Sequence, residues 1–403
     1  MSASPRSTRT SARPRISRNS SDRWAGLDIW CRVTDSKTDS AHMRAALGLA
    51  RRVLGLVWPN PAVGCVLVKD RRVVGRGWTQ PGGRPHAETE ALAFAGAEAQ
   101  GATAYVTLEP CSHHAKTPPC ALALIEAGIR RVVVALEDPD PRVSGRGLDL
   151  LEKAGIKVDV GLLEDEARVL NAGFFSRVQK HRPLVTLKLA TTLDGRIATH
   201  AGESRWITGS QARQAAHLLR ASHDAVMVGA GTALADDPML TCRLPGLEQA
   251  SPVRIVVDGR LRTPLTSALV KSARSHSFWL ITLEQGPKAR HKVFEEAGVR
   301  LIDVPPEESG SPDLKAAFRK LGDAGLTRVL VEGGAHLAAA LMRADLVDRL
   351  VWFHAPGIMG SDGIAALAAF GVDRLDGMPR FKRQGVRALG DDIEEVYERI
   401  LED

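Results

Sequence analysis

His86 and Glu88 stand two positions apart, just after a Gly/Pro loop (Pro81–Pro85) and at the opening of a helical pattern. Cys111 follows Pro110 at the end of the strand-like run Thr103–Leu108, and Cys120 follows Thr117-Pro118-Pro119 at the start of another helical pattern. One imidazole and two thiolates supply three zinc ligands. They leave the fourth tetrahedral position to water, the pattern of a catalytic centre and not of a closed structural one. Zinc brings the pKa of such a water down to about 7. Glu88 is placed to take the water proton and return it to a ring nitrogen and a leaving amine. An H-x-E followed by P-C and a second Cys is the signature of zinc deaminases. The expected chemistry of Ala41–Phe175 is therefore hydrolytic removal of an amino group from a nitrogen heterocycle. A structural zinc is the competing reading. It calls for a fourth side chain, with His113 and His114 as the nearby candidates, and it leaves Glu88 without a use.

The elements that must hold these residues alternate in type. A helix over Ala41–Arg52 capped by Ser40, strands at Ala62–Val68 and Arg72–Arg76, and a helix over Ala87–Ala97 come first. Then follow a strand at Thr103–Leu108, a helix over Pro118–Ala127, a strand at Arg131–Leu136, a helix over Gly147–Ala154, a strand at Lys157–Val160 and a helix from Glu164 to about Phe175. This order predicts a layered α/β domain. The hydrophilic run Ser176–Pro183 reads as a linker. A second α/β series follows, with strands at Leu184–Leu189, Asp224–Val228, Val253–Val257, Phe278–Thr282, Arg328–Val331 and Arg349–His354. Its helices cover Gln211–Ala221, Asp313–Leu321 and Ala335–Arg343.

A chain of 403 residues is long enough for two such domains. The formal charge of +7 suggests nucleic acid at first sight. However, residues 1–40 hold eight Lys/Arg against four Asp, so much of the excess sits in a Ser/Arg/Thr-rich tail. That tail has too few apolar residues to order itself. Its composition fits an organelle transit peptide, and a true start near Met43 fits equally well. No run approaches the roughly 18 apolar residues of a membrane span. Five scattered cysteines do not make a disulfide framework, which points to a reducing, cytoplasmic setting.

The two cysteines are separated by eight residues, where the general deaminase signature has two. The segment Glu109–Cys120, together with Pro59–Gly64 and Ala102–Glu109, closely resembles the deaminase half of the bifunctional deaminase-reductases of riboflavin biosynthesis. The resemblance runs from Ala41 to about Glu394. It implies a cytidine-deaminase-like three-layer domain followed by a dihydrofolate-reductase-like α/β domain at 184–403. It also implies a diaminopyrimidinone substrate carrying a ribosylamino phosphate, whose 2-amino group is hydrolysed. Asn60 is then a candidate for the ring or ribose, or merely an Asx turn. His113, His114 and Lys116 are candidates for the phosphate, or merely a solvated loop. Trp58 and Ala115 depart from the residues common in the family.

In the second half, Leu187–Arg196, Gly202–Thr208, Leu218–Ala221, Gly231–Thr241 and Val331–Gly334 are similar to the family's reductase motifs. They imply NADPH-dependent reduction of the ribosyl group to ribityl. By resemblance, Ala190, Trp206, Thr232, Asp236 and Gly334 meet the cofactor, and Lys188, Ser204, Arg220, Leu240, Arg243 and Glu332 surround the substrate. Gly333-Gly334 ends an apolar strand and opens a helix, where backbone N–H groups can approach a pyrophosphate. It is not the G-x-G-x-x-G of a dehydrogenase. Arg220 and Arg243 suit phosphate, since guanidinium forks onto its oxygens. Lys188 and Asp194 are the candidates for the proton that accompanies hydride. The resemblance also implies a homodimer formed through the reductase half.

Two other classes remain open at this point. A nucleic-acid-editing deaminase with an accessory domain would bind RNA with a strong salt dependence. A zinc-stabilised binding protein would not need Glu88.

Overall fold

The structure is a computed structural model, and it describes residues 37–112, 118–141 and 143–400. In the first half the order is α1 (Lys37–Arg51), β1 (Gly64–Lys69), β2 (Arg72–Trp78), α2 (Ala87–Ala95), β3 (Thr103–Val106) and α3 (Cys120–Glu126). It continues with β4 (Arg131–Val134), α4 (Arg146–Lys153), β5 (Lys157–Val160), α5 (Glu164–Leu170) and α6 (Ala172–Lys180). The strands form one sheet in the order β2-β1-β3-β4-β5. β1 runs antiparallel to both β2 and β3, while β3, β4 and β5 are parallel. β1 is buried along almost its whole length because helices cover both sheet faces.

Three differences from the sequence reading have physical causes. Helix α1 begins at Lys37, not after Ser40. Asp39 is buried there, accepting from the Tyr105 hydroxyl at 2.5 Å and pairing with Arg131 at 3.0 Å, so an acid counted with the tail belongs to the core. The helix expected over Glu164–Phe175 is broken at Asn171, whose amide both donates to and accepts from the backbone of Ala62 at 3.0 Å. The supposed linker Ser176–Pro183 is helical as far as Lys180. Its hydrophilic residues serve as anchors to the second half: Arg177 donates to the Gly322 carbonyl, and Arg182 forks onto Asp348.

The second half comprises β6 (Leu184–Thr191), β7 (Arg196–Ala198), α7 (Ser210–Ala221), β8 (Ala225–Gly229), α8 (Ala230–Asp236), β9 (Val253–Val257), α9 (Ala268–Lys271) and β10 (Phe278–Leu283). Then come α10 (Lys288–Glu296), β11 (Arg300–Val304), α11 (Leu314–Asp323), β12 (Arg328–Val331) and α12 (Ala335–Arg343). β13 (Arg349–His354), β14 (Ile364–Ala365), β15 (Phe381–Leu389) and β16 (Asp392–Arg399) complete it. Nine strands form a sheet in the order β11-β10-β9-β8-β12-β6-β13-β16-β15, and β7 pairs with β14 apart from it. The sheet is parallel from β11 to β13 and ends in the antiparallel hairpin β15–β16. Open sheets of this kind gather ligands outside the carboxyl ends of their parallel strands. Lys188, Glu332 and Gly229 lie at or near those ends on β6, β12 and β8.

Candidate active sites

The first site forms where α2, the end of β3 and α3 meet. His86 is the residue before α2, and Cys120 is the first residue of α3. His86 Nδ1 lies 3.3 Å from Cys120 Sγ and 3.6 Å from Cys111 Sγ, and the three ligand atoms all fall within 4.8 Å of one another. A tetrahedral zinc with bonds of about 2.0–2.3 Å has ligand–ligand edges of about 3.3–3.8 Å, so this donor set fits that ion. Cys120 N–H also donates to Cys111 Sγ at 3.3 Å. The Cys120 thiol bonding to it draws Cys111 down to about 4, against the opposing pull of burial, and His86 adds to the effect. The same bond, together with burial, pushes the Cys120 thiol up. A cation held between the thiols would displace that shared proton and ionise both.

Glu88 sits in the first turn of α2 and is 3% exposed. Burial, with the Cys111 charge adding, pushes its carboxyl up to about 7. A cavity of about 330 Å³ opens onto His86, Glu88 and Cys111 and includes Asn60 in its lining. His113, His114 and Lys116 lie outside the described residues. Cys65 and Cys242 are both buried, Cys65 in the core of the first half.

Sequence reasoning gave no role to several residues of this cavity. Glu109 accepts from the N–H groups of Gly147, Gly145 and Asp138 at 2.8, 3.0 and 3.2 Å. It thereby holds the loop that brings Asp138 and Asp140 to the wall. A Cβ on Gly147 would lie 2.0 Å from the Pro110 carbonyl oxygen, so glycine is required where this loop crosses the cysteine segment. The acidic, proline-punctuated run Asp138-Pro139-Asp140-Pro141 after a strand was the available signal. Arg177 also lines the cavity.

The second site is a cleft of about 890 Å³ beside the ends of β6 and β12. It brings together Lys188, Ala190, Ser204, Trp206, Arg220, Thr232, Asp236, Arg243, Glu332 and Gly334. Leu240 is the exception: its side chain is buried in the apolar core with Val226 and Val256 and does not line the cleft. Arg220, expected beside the substrate, lines the cleft with its guanidinium engaged by a neighbouring carboxylate. Its Nε and Nη2 fork onto Glu332 at 2.5 and 2.9 Å, and Nη1 donates to the Thr241 carbonyl at 3.1 Å. Two of its guanidinium nitrogens thus meet a carboxylate, whereas the exposed Arg243 side chain has no hydrogen-bond or ion-pair partner among the described residues and is open to an anion.

Lys188 is pulled below the ordinary lysine range by burial, with Arg220 adding and Glu332 opposing. Burial works to raise Glu332, but the Arg220 guanidinium outweighs it and leaves Glu332 below the usual carboxylate range. Asp194 accepts from Thr192 at 2.6 Å and from the Gly360 N–H at 2.7 Å, and it lies outside the cleft lining. It braces a turn, which leaves Lys188 as the proton candidate. Arg213 and His217 were missed. With Arg220 they fall at i, i+4 and i+7 on α7, a polar helix face legible as one that looks into a site. Arg213 stacks over Trp206 at 4.5 Å.

Gly231, Thr232, Gly334 and His336 line both this cleft and a neighbouring cavity of about 580 Å³. A Cβ on Gly333 or Gly334 would lie 3.1 Å from Thr232 Oγ1, and Gly334 has φ +72. This junction is therefore a bare-backbone cradle at the start of α12, which suits a pyrophosphate between two pockets. Arg260, Arg262 and Arg343 line the far pocket.

Comparison with known proteins agrees with this division. The family model "Cytidine and deoxycytidylate deaminase zinc-binding region" matches residues 36–136, and "RibD C-terminal domain" matches 183–394. The riboflavin biosynthesis protein RibD of Escherichia coli K12 is 42% identical, covering 88% of this chain and 98% of its own. That of Aquifex aeolicus is 41% identical, covering 90% and 98%. Among solved structures, Acinetobacter baumannii RibD superposes with a TM-score of 0.81 at 38% identity over 90% of this chain and 99% of that one. A Thermotoga maritima protein described as a diaminohydroxyphosphoribosylaminopyrimidine deaminase/5-amino-6-(5-phosphoribosylamino)uracil reductase gives 0.78 at 34%, over 90% and 99%.

Proposed function

The chain belongs to the RibD family of bifunctional riboflavin-biosynthesis deaminase-reductases, with zinc and NADPH as cofactors, and we propose that its two reactions divide between the two cavities. The observation that carries the first assignment is a His–Cys–Cys triad of zinc-edge dimensions beside a buried carboxylate. His86, Cys111 and Cys120 hold the ion, which supplies Lewis acidity near neutral pH. Glu88 takes one proton from the attacking water to the ring nitrogen and then carries the second, from the added hydroxyl, to the departing amine, so that the carbonyl forms as ammonia leaves. The substrate is 2,5-diamino-6-(5-phosphoribosylamino)pyrimidin-4-one, and the products are ammonia and the corresponding uracil.

In the second cleft NADPH supplies the hydride. Ala190, Trp206, Thr232, Asp236 and Gly334 bind it, with its adenosine half in the pocket of Arg260, Arg262 and Arg343. Ser204, Arg243 and Glu332 hold the deaminated sugar phosphate. Arg220 keeps Glu332 ionised and oriented, and Lys188 provides the proton that accompanies reduction at the anomeric carbon.

We place the domain junction at His181–Pro183, after α6, with the reductase half running from Leu184. A homodimer through that half is favoured by β15, which lies at the open edge of the nine-stranded sheet with Val386 exposed. Among the described residues no helix is long and apolar enough to cross a membrane. A cytoplasmic setting, which keeps Cys111 and Cys120 reduced, suits the metal site.

The test is incubation with the diaminopyrimidinone ribosyl phosphate, with and without NADPH. Ammonia release without NADPH and NADPH oxidation only after deamination are expected. NADPH oxidation with no ammonia release would refute the assignment of the first cavity.

A further inference from the structure

A phosphorylated substrate brings a dianion into the deaminase cavity, whose wall is rich in acids: Glu88, Glu109, Asp138 and Asp140 all line it. Such a wall repels phosphate unless a cation is aimed inward. Apart from the metal ligand His86, the basic residues lining the cavity among the described residues are Arg84 and Arg177. Arg84 already has a partner. Arg177 donates from Nε to the Gly322 carbonyl at 2.9 Å, and its two terminal nitrogens have no partner among the described residues. Fixing Nε sets the plane of the guanidinium and leaves two N–H-bearing nitrogens as a fork, the geometry that matches phosphate oxygens.

The residue that fixes Arg177 belongs to the other half of the chain. Gly322 lies in the last turn of α11, where carbonyls lack intrahelical partners. Its oxygen also accepts from Gly325 N–H at 3.0 Å, closing a turn. Gly325 has φ +102, and a Cβ there would lie 3.3 Å from Pro59 Cβ and 3.5 Å from the Trp58 ring. Pro59 lines the same cavity. One turn of the reductase half, Gly322–Gly325, thus abuts the deaminase wall at two separate places. Gly173 of α6 packs against Arg328 just beyond it, with a Cβ there meeting Arg328 Cγ at 2.4 Å.

We propose that Arg177 binds the substrate phosphate in the deaminase cavity and that the Gly322–Gly325 turn of the reductase half aims it. This rests on the reading that the cavity takes a phosphorylated substrate. It gives a physical reason for the fusion that needs no transfer of intermediates between sites, because the second domain forms part of the first site's specificity.

The test compares full-length wild type with Arg177→Gln on the phosphorylated diaminopyrimidinone riboside and on its dephosphorylated counterpart. Zinc content and thermal midpoint are measured alongside. The expected result is a KM for the phosphorylated substrate raised by about 10–100-fold, the range for losing a charge-assisted bond. kcat stays within about twofold, the range of a purely ground-state loss, and the dephosphorylated substrate is unaffected. Arg177→Lys, which keeps the charge without the fork, recovers part of the loss. It also carries the comparison if the glutamine variant loses zinc. Equal losses on both substrates, or no change in KM, would overturn the proposal and reduce Arg177 to a domain latch. Absence of ammonia release by wild type from either substrate would instead bring down the deaminase reading, and this proposal with it.

Discussion

The two cavities are built on opposite principles. The deaminase centre gathers its metal-ligating atoms from a stretch of 35 residues, His86 to Cys120, into a volume 4.8 Å across. The reductase cleft collects residues from Lys188 to Ala366 around about 890 Å³. A metal demands a few atoms at fixed distances, so its ligands are compact in space and their types are restricted. A dinucleotide demands a long groove of backbone and scattered side chains, so no short motif identifies it. In consequence the first site should fail through its chemistry and the second through its packing.

The largest expected effect tests the first half of that contrast. Glu88→Gln keeps the shape and all three ligands. Ammonia release should fall by about 10²–10⁴-fold, the range for losing a general acid–base. Zinc content, thermal midpoint and NADPH oxidation with supplied deaminated substrate should stay as in wild type. If zinc were lost together with activity, Glu88 would be part of the metal's support and not the proton shuttle.

Glu332→Gln tests the second half. The buried fork from Arg220 would face an uncharged amide, and removing one member of a buried ion pair costs about 3–5 kcal/mol. A fall in thermal midpoint together with loss of NADPH oxidation is expected, with ammonia release preserved below the new midpoint. A fully stable Glu332→Gln protein would mean that the ion pair contributes nothing to the fold, and the contrast between the sites would be lost.

The same contrast explains what was legible in the sequence. His86, Glu88, Cys111 and Cys120 could be assigned from type and spacing, and the alternating strands and helices gave the layered class. The α6 segment was misjudged because Arg177, Lys180 and Arg182 look like solvated linker residues, whereas they bond across to Gly322 and Asp348. Helix α10 buries only Phe294, and β15 is exposed along almost all its length, so neither carries an apolar period. Leu240 and Arg220 sit in stretches that match the family, but matching a stretch does not say which side chain faces the ligand. Leu240 turns into the core, while Arg220 faces the cleft with Glu332 as its partner.

A smaller effect is predicted in acid, and it is specific to the reductase half. His223 on the α7–β8 connection is buried, with Nδ1–H donating to the Leu219 carbonyl at 2.7 Å and Nε2 accepting from the Thr186 hydroxyl at 3.0 Å. Burial lowers it to about 3, with Arg328 and Arg349 adding and the Leu219 bond and Glu332 opposing. Because the folded pKa lies below the unfolded value near 6.5, the unfolded chain binds the extra proton. Stability is therefore full above pH 6.5 and declines as pH falls towards 3, by about 2 kcal/mol at pH 5. Denaturant unfolding followed from pH 7 to 5 should show this decline in wild type and a flatter profile in His223→Gln. Identical slopes would rule His223 out as the sensor.

The smallest effect concerns which cofactor the cleft prefers. NADPH and NADH differ by a single 2′-phosphate on the adenosine ribose. The cleft and its neighbour are joined at Thr232 and Gly334, so a dinucleotide lying across that junction puts its adenosine beside Arg260, Arg262 and Arg343. Arg262 is already 3.9 Å from Asp258, while Arg260 is exposed and has no side-chain partner among the described residues, which leaves Arg260 the freer to meet phosphate. Arg260→Gln should weaken NADPH binding by about tenfold, the worth of one charge-assisted bond, and leave NADH binding unchanged. Titration calorimetry with each nucleotide separates the two. Equal weakening would assign Arg260 to the general electrostatics of the pocket, and no weakening would move the 2′-phosphate elsewhere. A graded, tenfold response here, set against near-total loss of deamination in Glu88→Gln, is what a site assembled from many dispersed contacts predicts.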